Sequence, residues 1–138
     1  MNFKLLYIAP FLLLMSNCKT QTSKPETSVV TNNSIKIDLE KQVRIPNSKI
    51  NLKFKEVTED SRCPVDVTCV WEGIATVNIE ANSGNQTANF SVGTRDFLTK
   101  NISKSFSFSG YRFTLTELMP QPGGKPQATS VTLKYEEE

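Results

Sequence analysis

From Ser34 to the end of the chain, apolar and polar residues alternate with a period of two. Ile35, Ile37 and Leu39 alternate with Lys36, Asp38 and Glu40. Ile50, Leu52 and Phe54 alternate with Asn51, Lys53 and Lys55, and Ala75, Val77 and Ile79 with Thr76, Asn78 and Glu80. The same spacing recurs in Ala88, Phe90 and Val92, in Phe106 and Phe108, in Tyr111, Phe113 and Leu115, and in Val131, Leu133 and Tyr135. Period two is the side-chain repeat of a strand with one dry and one wet face, so each of these runs predicts a strand. Turn-forming residues separate them: Pro46-Asn47-Ser48, Asn82-Ser83-Gly84-Asn85, Ser109-Gly110 and the stretch from Pro120 to Pro126. No segment after residue 33 sustains the i, i+3, i+4, i+7 apolar stripe of a helix. Strands with one wet face build antiparallel sheets. The expected fold is all-β, an antiparallel β-sandwich of about seven to eight strands, with a small barrel as the alternative.

Before Ser34 the pattern is different. Lys4 is followed by an apolar run from Leu5 to Met15, eleven residues long, and polar chain begins at Ser16. A bilayer span needs about 20 apolar residues, so this run reads as a targeting segment rather than an anchor helix. The sequence Leu14-Met15-Ser16-Asn17-Cys18 resembles the lipobox of bacterial lipoproteins, in which cleavage precedes a cysteine that becomes acylated. Residues 1–17 are accordingly assigned as a lipoprotein signal peptide and Cys18 as the lipid attachment point, placing the mature protein on a lipid bilayer in the bacterial envelope, facing the periplasm or the exterior. Met15 and Asn17 depart from the usual lipobox residues; an ordinary secretory signal with an incidental cysteine is the alternative. Lys19 to Asn33 is polar and rich in Thr, Ser and Asn. It buries too little surface to offset its ordering entropy, so residues 18–33 are read as the lipidated cysteine and a flexible tether, and residues 34–138 as the folded domain.

Charge is close to balanced, with 16 Lys and Arg against 14 Asp and Glu. There is no basic stripe, which argues against nucleic-acid binding. The chain contains no histidine. That removes Ser-His-Asp and Cys-His catalysis, histidine-ligated metals and histidine-based pH switching. Of the three cysteines, Cys63 and Cys69 remain once Cys18 is assigned to lipid. Five residues intervene between them, with Pro64 and Asp66 favouring a turn. In an oxidising compartment such a pair is most simply a disulfide. A redox pair calls for the tighter C-x-x-C spacing, and zinc calls for two further soft or imidazole ligands. No cofactor is expected.

Chemistry concentrates in residues 60–73. Glu59, Asp60, Asp66 and Glu72 supply the only arrangement from which paired-carboxylate catalysis or a calcium site could be built. Their spacing matches no calcium loop, and carboxylates on a polar loop are more often solvated or paired with a neighbour such as Arg62. Trp71, the single tryptophan, has two readings. It is either a plug over one end of the sandwich or the disulfide, or a binding anchor on a stiffened loop. Gly73 is expected to supply a positive φ or a bulge where the next strand begins. Arg95 and Asp96 read as a local surface ion pair, and Pro120 to Pro126 as an exposed connection.

The run Asp60-Ser61-Arg62-Cys63-Pro64, followed by Cys69-Val70-Trp71 and Gly73, resembles a group of small uncharacterised bacterial secreted proteins and lipoproteins that share D-S-R-C-P, C-x-W and G. The resemblance implies an extracytoplasmic, disulfide-bearing β-domain and assigns no catalytic residue. The expectation is a non-catalytic binding module with Arg62, Trp71 and Glu72 as candidate binding residues and an envelope protein or a glycan as partner. A structural envelope subunit, or less favourably a hydrolase using the loop carboxylates, is the alternative.

Overall fold

The computed structural model describes residues 33–138. Cys18, the signal segment and most of the tether lie outside the described residues. Eight strands form two four-stranded antiparallel sheets packed face to face. The first sheet has the order β1 (Ser34–Asp38), β8 (Ser130–Glu137), β7 (Tyr111–Met119), β6 (Ser105–Phe108). The second has the order β2 (Gln42–Arg44), β3 (Ile50–Asp60), β4 (Ala75–Ser83), β5 (Gln86–Gly93). This is the sandwich predicted from the alternation, and it does not close into a barrel. Two-residue turns at Gly84-Asn85 and Ser109-Gly110 join β4 to β5 and β6 to β7.

The inward residues of each run meet across the interior. Ile35, Ile37, Leu52, Phe54, Val77, Ile79, Phe113, Leu115, Val131 and Leu133 are all at most 1% exposed. Full burial of such a side chain stabilises by about 1.5–3 kcal/mol. Phe90 stacks on Phe106 at 4.4 Å between centroids and Phe106 on Phe113 at 5.1 Å, closing the side of the sandwich where β5 and β6 face each other.

Where strict alternation fails, a bulge intervenes. Beyond Leu115 a period of two would turn Glu117 inward. The register shift between Leu115 and Glu117 inserts one residue, and Leu118 is buried in its place. Shifts between Phe54 and Glu56 and between Val57 and Glu59 do the same for β3, turning Val57 towards the core. Both long strands thereby extend past their predicted runs. Leu39 departs in the other direction. β1 ends at Asp38, Glu40 takes a positive φ of 63°, and the chain crosses to β2, leaving Leu39 37% exposed.

The registers define two poles. Asn33, the turns at Asn47, Gly84 and Ser109, and the C-terminal glutamates lie at one end. The segments 38–41, 61–74, 94–104 and 120–129 lie at the other. The eleven-residue β3 separates the poles, which at about 3.3 Å per residue is roughly 35 Å. The described chain begins at Asn33, so the disulfide segment sits at the pole remote from that residue.

Candidate functional site at the remote pole

The 61–74 segment is a continuation of the β3–β4 hairpin rather than a free loop. The Ser61 N–H donates to the Ile74 carbonyl at 2.8 Å, and the Cys63 N–H to the Glu72 carbonyl at 3.0 Å. The Ser61 hydroxyl donates to that same Ile74 carbonyl at 2.9 Å and lies 3.2 Å from the Ile74 N–H. Cys63 and Cys69 are joined in a disulfide with their Cα atoms 6.0 Å apart, within the usual window of about 4.4–6.8 Å. Gly73 has a φ of +72°, and a Cβ there would lie 1.8 Å from the Ser61 carbonyl oxygen. Only glycine allows the two arms to approach this closely while turning with positive φ.

Arg62 fastens this hairpin extension to the opposite sheet. Its side chain is 11% exposed. Nε and Nη2 donate to the two carboxylate oxygens of Asp60 at 2.8 and 2.7 Å, while Nη1 donates to the Leu118 carbonyl at 2.7 Å and Nη2 to the Pro120 carbonyl at 2.9 Å. The guanidinium fork suits this two-sided engagement, a planar carboxylate on one edge and carbonyls on the other. Hydrogen bonds from Arg62 hold the Asp60 carboxyl below the usual carboxylate range. The Val65 N–H adds a bond to the Pro122 carbonyl at 3.0 Å, seating the disulfide ring on the 120–126 segment. Beside this seat opens a cleft of about 500 Å³, walled by Val57, Asp60, Arg62 and the Pro120–Pro126 segment.

Trp71 and Glu72 face elsewhere and meet through Arg95, a residue the sequence had paired with Asp96. The Arg95 guanidinium lies 4.8 Å from the Trp71 ring centroid and donates to the Glu72 carboxylate at 3.2 Å. The Phe97 ring is tilted against Trp71 at 5.7 Å. Arg95 therefore pairs with Glu72 rather than with its neighbour Asp96, whose carboxylate accepts the Lys104 N–H at 2.7 Å. No local signal announces this pairing, because 23 residues separate Arg95 from Glu72. Trp71 itself is neither a buried plug nor packed into the core: it is 46% exposed. Of the three candidate binding residues, Trp71 and Glu72 thus share one cluster, and Arg62 lies behind them as a strut.

Three of the four carboxylates are paired as well. Asp60 is held by Arg62, Glu72 by Arg95, and Glu59 by Lys100 at 3.3 Å. Among the described residues no group of three His, Cys, Asp or Glu is arranged to hold a metal ion. Among its exposed charged and polar groups the pole also carries apolar side chains. Val65, Val67, Val70 and Trp71 on the hairpin, Leu98 on the short 3-10 turn Leu98–Lys100, and Leu39 after β1 are the exposed large hydrophobic side chains among the described residues, and all lie at this pole. Val70 and Leu98 are almost wholly in solvent, at 110% and 91% exposure. No known family model, curated protein or solved structure matches the chain.

Proposed function

We propose that this protein is a lipid-anchored lipoprotein of the bacterial envelope, acylated at Cys18, whose β-sandwich is a non-catalytic module that binds another envelope protein through its remote pole. One observation carries the reading: the six exposed large apolar side chains of the described residues lie at one pole, four of them on a hairpin stiffened by the Cys63–Cys69 disulfide and the Arg62 clamp. Singly scattered surface hydrophobics are ordinary, but a gathered patch is expensive to leave in water and marks an interface. Stiffening lowers the entropy lost when a partner orders the hairpin. A tether entering at the opposite pole leaves the patch turned away from the membrane on average.

A protein suits the patch better than a glycan. Sugar recognition uses a free aromatic face and unspent polar groups, whereas the Trp71 ring is engaged by Arg95 and Phe97, and the Glu72 carboxylate by Arg95. The aliphatic Val65, Val67, Val70 and Leu98 call for apolar side chains opposite. Hydrolysis with Asp60 as the general acid fits poorly, because that role needs a raised pKa and Arg62 holds Asp60 low. The test is cross-linked capture from native membranes with the full chain, run beside Val70→Asp and Trp71→Ala. A protein captured by the parent and lost from both variants is the expected result. Capture unchanged by either would overturn the assignment of the pole. Intact mass of the membrane-extracted chain checks the anchor separately, and a mature chain that does not begin at an acylated Cys18 would remove it.

A further inference from the structure

The two sheets have four edges, and three of them are guarded against pairing with another chain. β2 is three residues long and carries Arg44, with Lys41 and Pro46 on either side. β1 carries Lys36 and Asp38. β6 is four residues long, preceded by Lys104. Short strands, charges and proline are the usual means of keeping an edge from recruiting a second strand.

The fourth edge, β5, has none of these. Gln86–Gly93 is eight residues long, contains no charge and no proline, and pairs with β4 in unbroken register without a bulge. The direction of its free groups follows from two bonds. The two-residue turn makes Ser83 and Gln86 a mutually bonded pair, so Gln86, Ala88, Phe90 and Val92 bond to β4. The Gly93 N–H points the other way, to the Ser103 carbonyl at 2.9 Å. Thr87, Asn89 and Ser91 share the parity of Gly93 and therefore direct their backbone groups outward. Ser103 covers the edge only near Val92. Among the described residues, nothing pairs with the edge from Gln86 to Phe90.

We propose that β5 is a homodimerisation edge, pairing antiparallel with β5 of a second copy about a two-fold axis at Ala88, so that two four-stranded sheets become one of eight. Two features favour a copy of this chain over an unrelated strand. The open stretch Gln86–Phe90 is centred on Ala88, so a two-fold axis there places all of it in the ladder while keeping clear of Ser103. In that register Thr87 and Asn89 of one protomer exchange backbone bonds with Asn89 and Thr87 of its partner, and Ala88 faces Ala88, the smallest pair for the close non-bonded position of an antiparallel ladder. On the wet face Thr87 meets Asn89, with no like charges brought together. The contact is isologous and closes at two copies. It uses a flank of the sandwich, not the remote pole, so it stands independently of the binding proposal. Because the pairing is antiparallel, the two remote poles point in opposite directions along the strand axis.

Sedimentation of the full chain in detergent, combined with amide exchange, tests it. The parent is expected to double in mass with rising concentration, and the Thr87 and Asn89 amides to become at least tenfold more protected as it does. Asn89→Lys guards the edge at an exposed position and is expected to return the protein to monomer with an unchanged circular dichroism spectrum. A parent that stays monomeric to about millimolar protein, the effective concentration that short tethering gives, overturns the proposal. So does a dimer whose Thr87 and Asn89 amides exchange as freely as in the monomer, a readout that holds even if the lysine variant fails to fold. A dimer that survives Asn89→Lys overturns it as well.

Discussion

Replacing Arg62 by methionine keeps most of the aliphatic stem and removes four hydrogen bonds, two to Asp60 and two that join the hairpin to the opposite sheet at the remote pole. Their loss is unequal. The Asp60 carboxylate is 33% exposed, so water takes over much of its solvation, and the pair is worth no more than about 0.5–1 kcal/mol. The carbonyls of Leu118 and Pro120 face a guanidinium that is 11% exposed. Each acceptor left without a donor there costs about 1–1.5 kcal/mol, the lower part of the range because both border an open cleft. The expected loss is about 2.5–4 kcal/mol, a large fraction of the stability of a domain this size. In urea it should appear as a lower midpoint with an unchanged slope, and in a thermal melt as a drop of roughly 10–18 °C. Glu59→Gln, which removes only the exposed pair with Lys100, is the companion variant and should cost less than about 1 kcal/mol. If Arg62→Met costs no more than Glu59→Gln, water replaces the guanidinium without penalty and Arg62 does not clamp the pole.

The remaining expectations can be checked with the same melts. Asp60 is depressed in the folded protein, chiefly by its side-chain bonds from Arg62, so its contribution is complete above its unfolded value of about 3.9 and is lost as pH falls through the lower folded value. Asp60→Asn should therefore destabilise at neutral pH and flatten the acid limb of stability below about pH 4; parallel limbs in parent and variant would refute it. Gly73→Ala meets the Ser61 carbonyl at 1.8 Å and a φ of +72°, and should cost more than about 2 kcal/mol. Gly84→Ala shares the positive φ but opens on empty space, and should cost only about 1 kcal/mol. Equal costs would mean that strain, not the close approach of the hairpin arms, dominates at Gly73. Reducing the Cys63–Cys69 ring should remove at most about 2.4 kcal/mol and speed amide exchange in residues 64–71 while leaving β3 and β4 protected. Loss of protection through the core would refute the view that the bridge stiffens the pole rather than the fold.

The sandwich was legible because its inward face is written in consecutive alternating residues, and a period-two run commits a strand before any partner is known. Three things escaped. β2 is too short to show a period, and its half-buried Val43 acquires meaning only beside Leu52. The bulges in β3 and β7 break the period of two, and it is they, not the alternation, that turn Val57 and Leu118 to the core. Arg95 was assigned to the nearest carboxylate because sequence proximity was the only distance available, whereas the fold brings Glu72 to it from 23 residues away. The candidate site divided in the same manner. Cys63, Cys69 and Gly73 carried their roles in local spacing and residue type, while the strut role of Arg62 depends on Leu118 and Pro120, more than fifty residues along.

The consequence of that division reaches the chemistry of the pole. A loop carrying four carboxylates, an arginine and a tryptophan looks polar in sequence, and its polar groups invite a catalytic or metal-binding reading. Folding engages three of the four carboxylates in pairs: Asp60 with Arg62, Glu72 with Arg95, Glu59 with Lys100. Each exposed pair adds little stability alone. Their combined effect is instead to fix where Val65, Val67, Val70 and Trp71 stand, since the backbone that carries these side chains is held at Ser61, Cys63, Val65 and Cys69. Apolar side chains on a mobile loop would fold back onto the sandwich and hide. On a hairpin held at these points they cannot, and the hydrophobic surface stays in water until something else covers it.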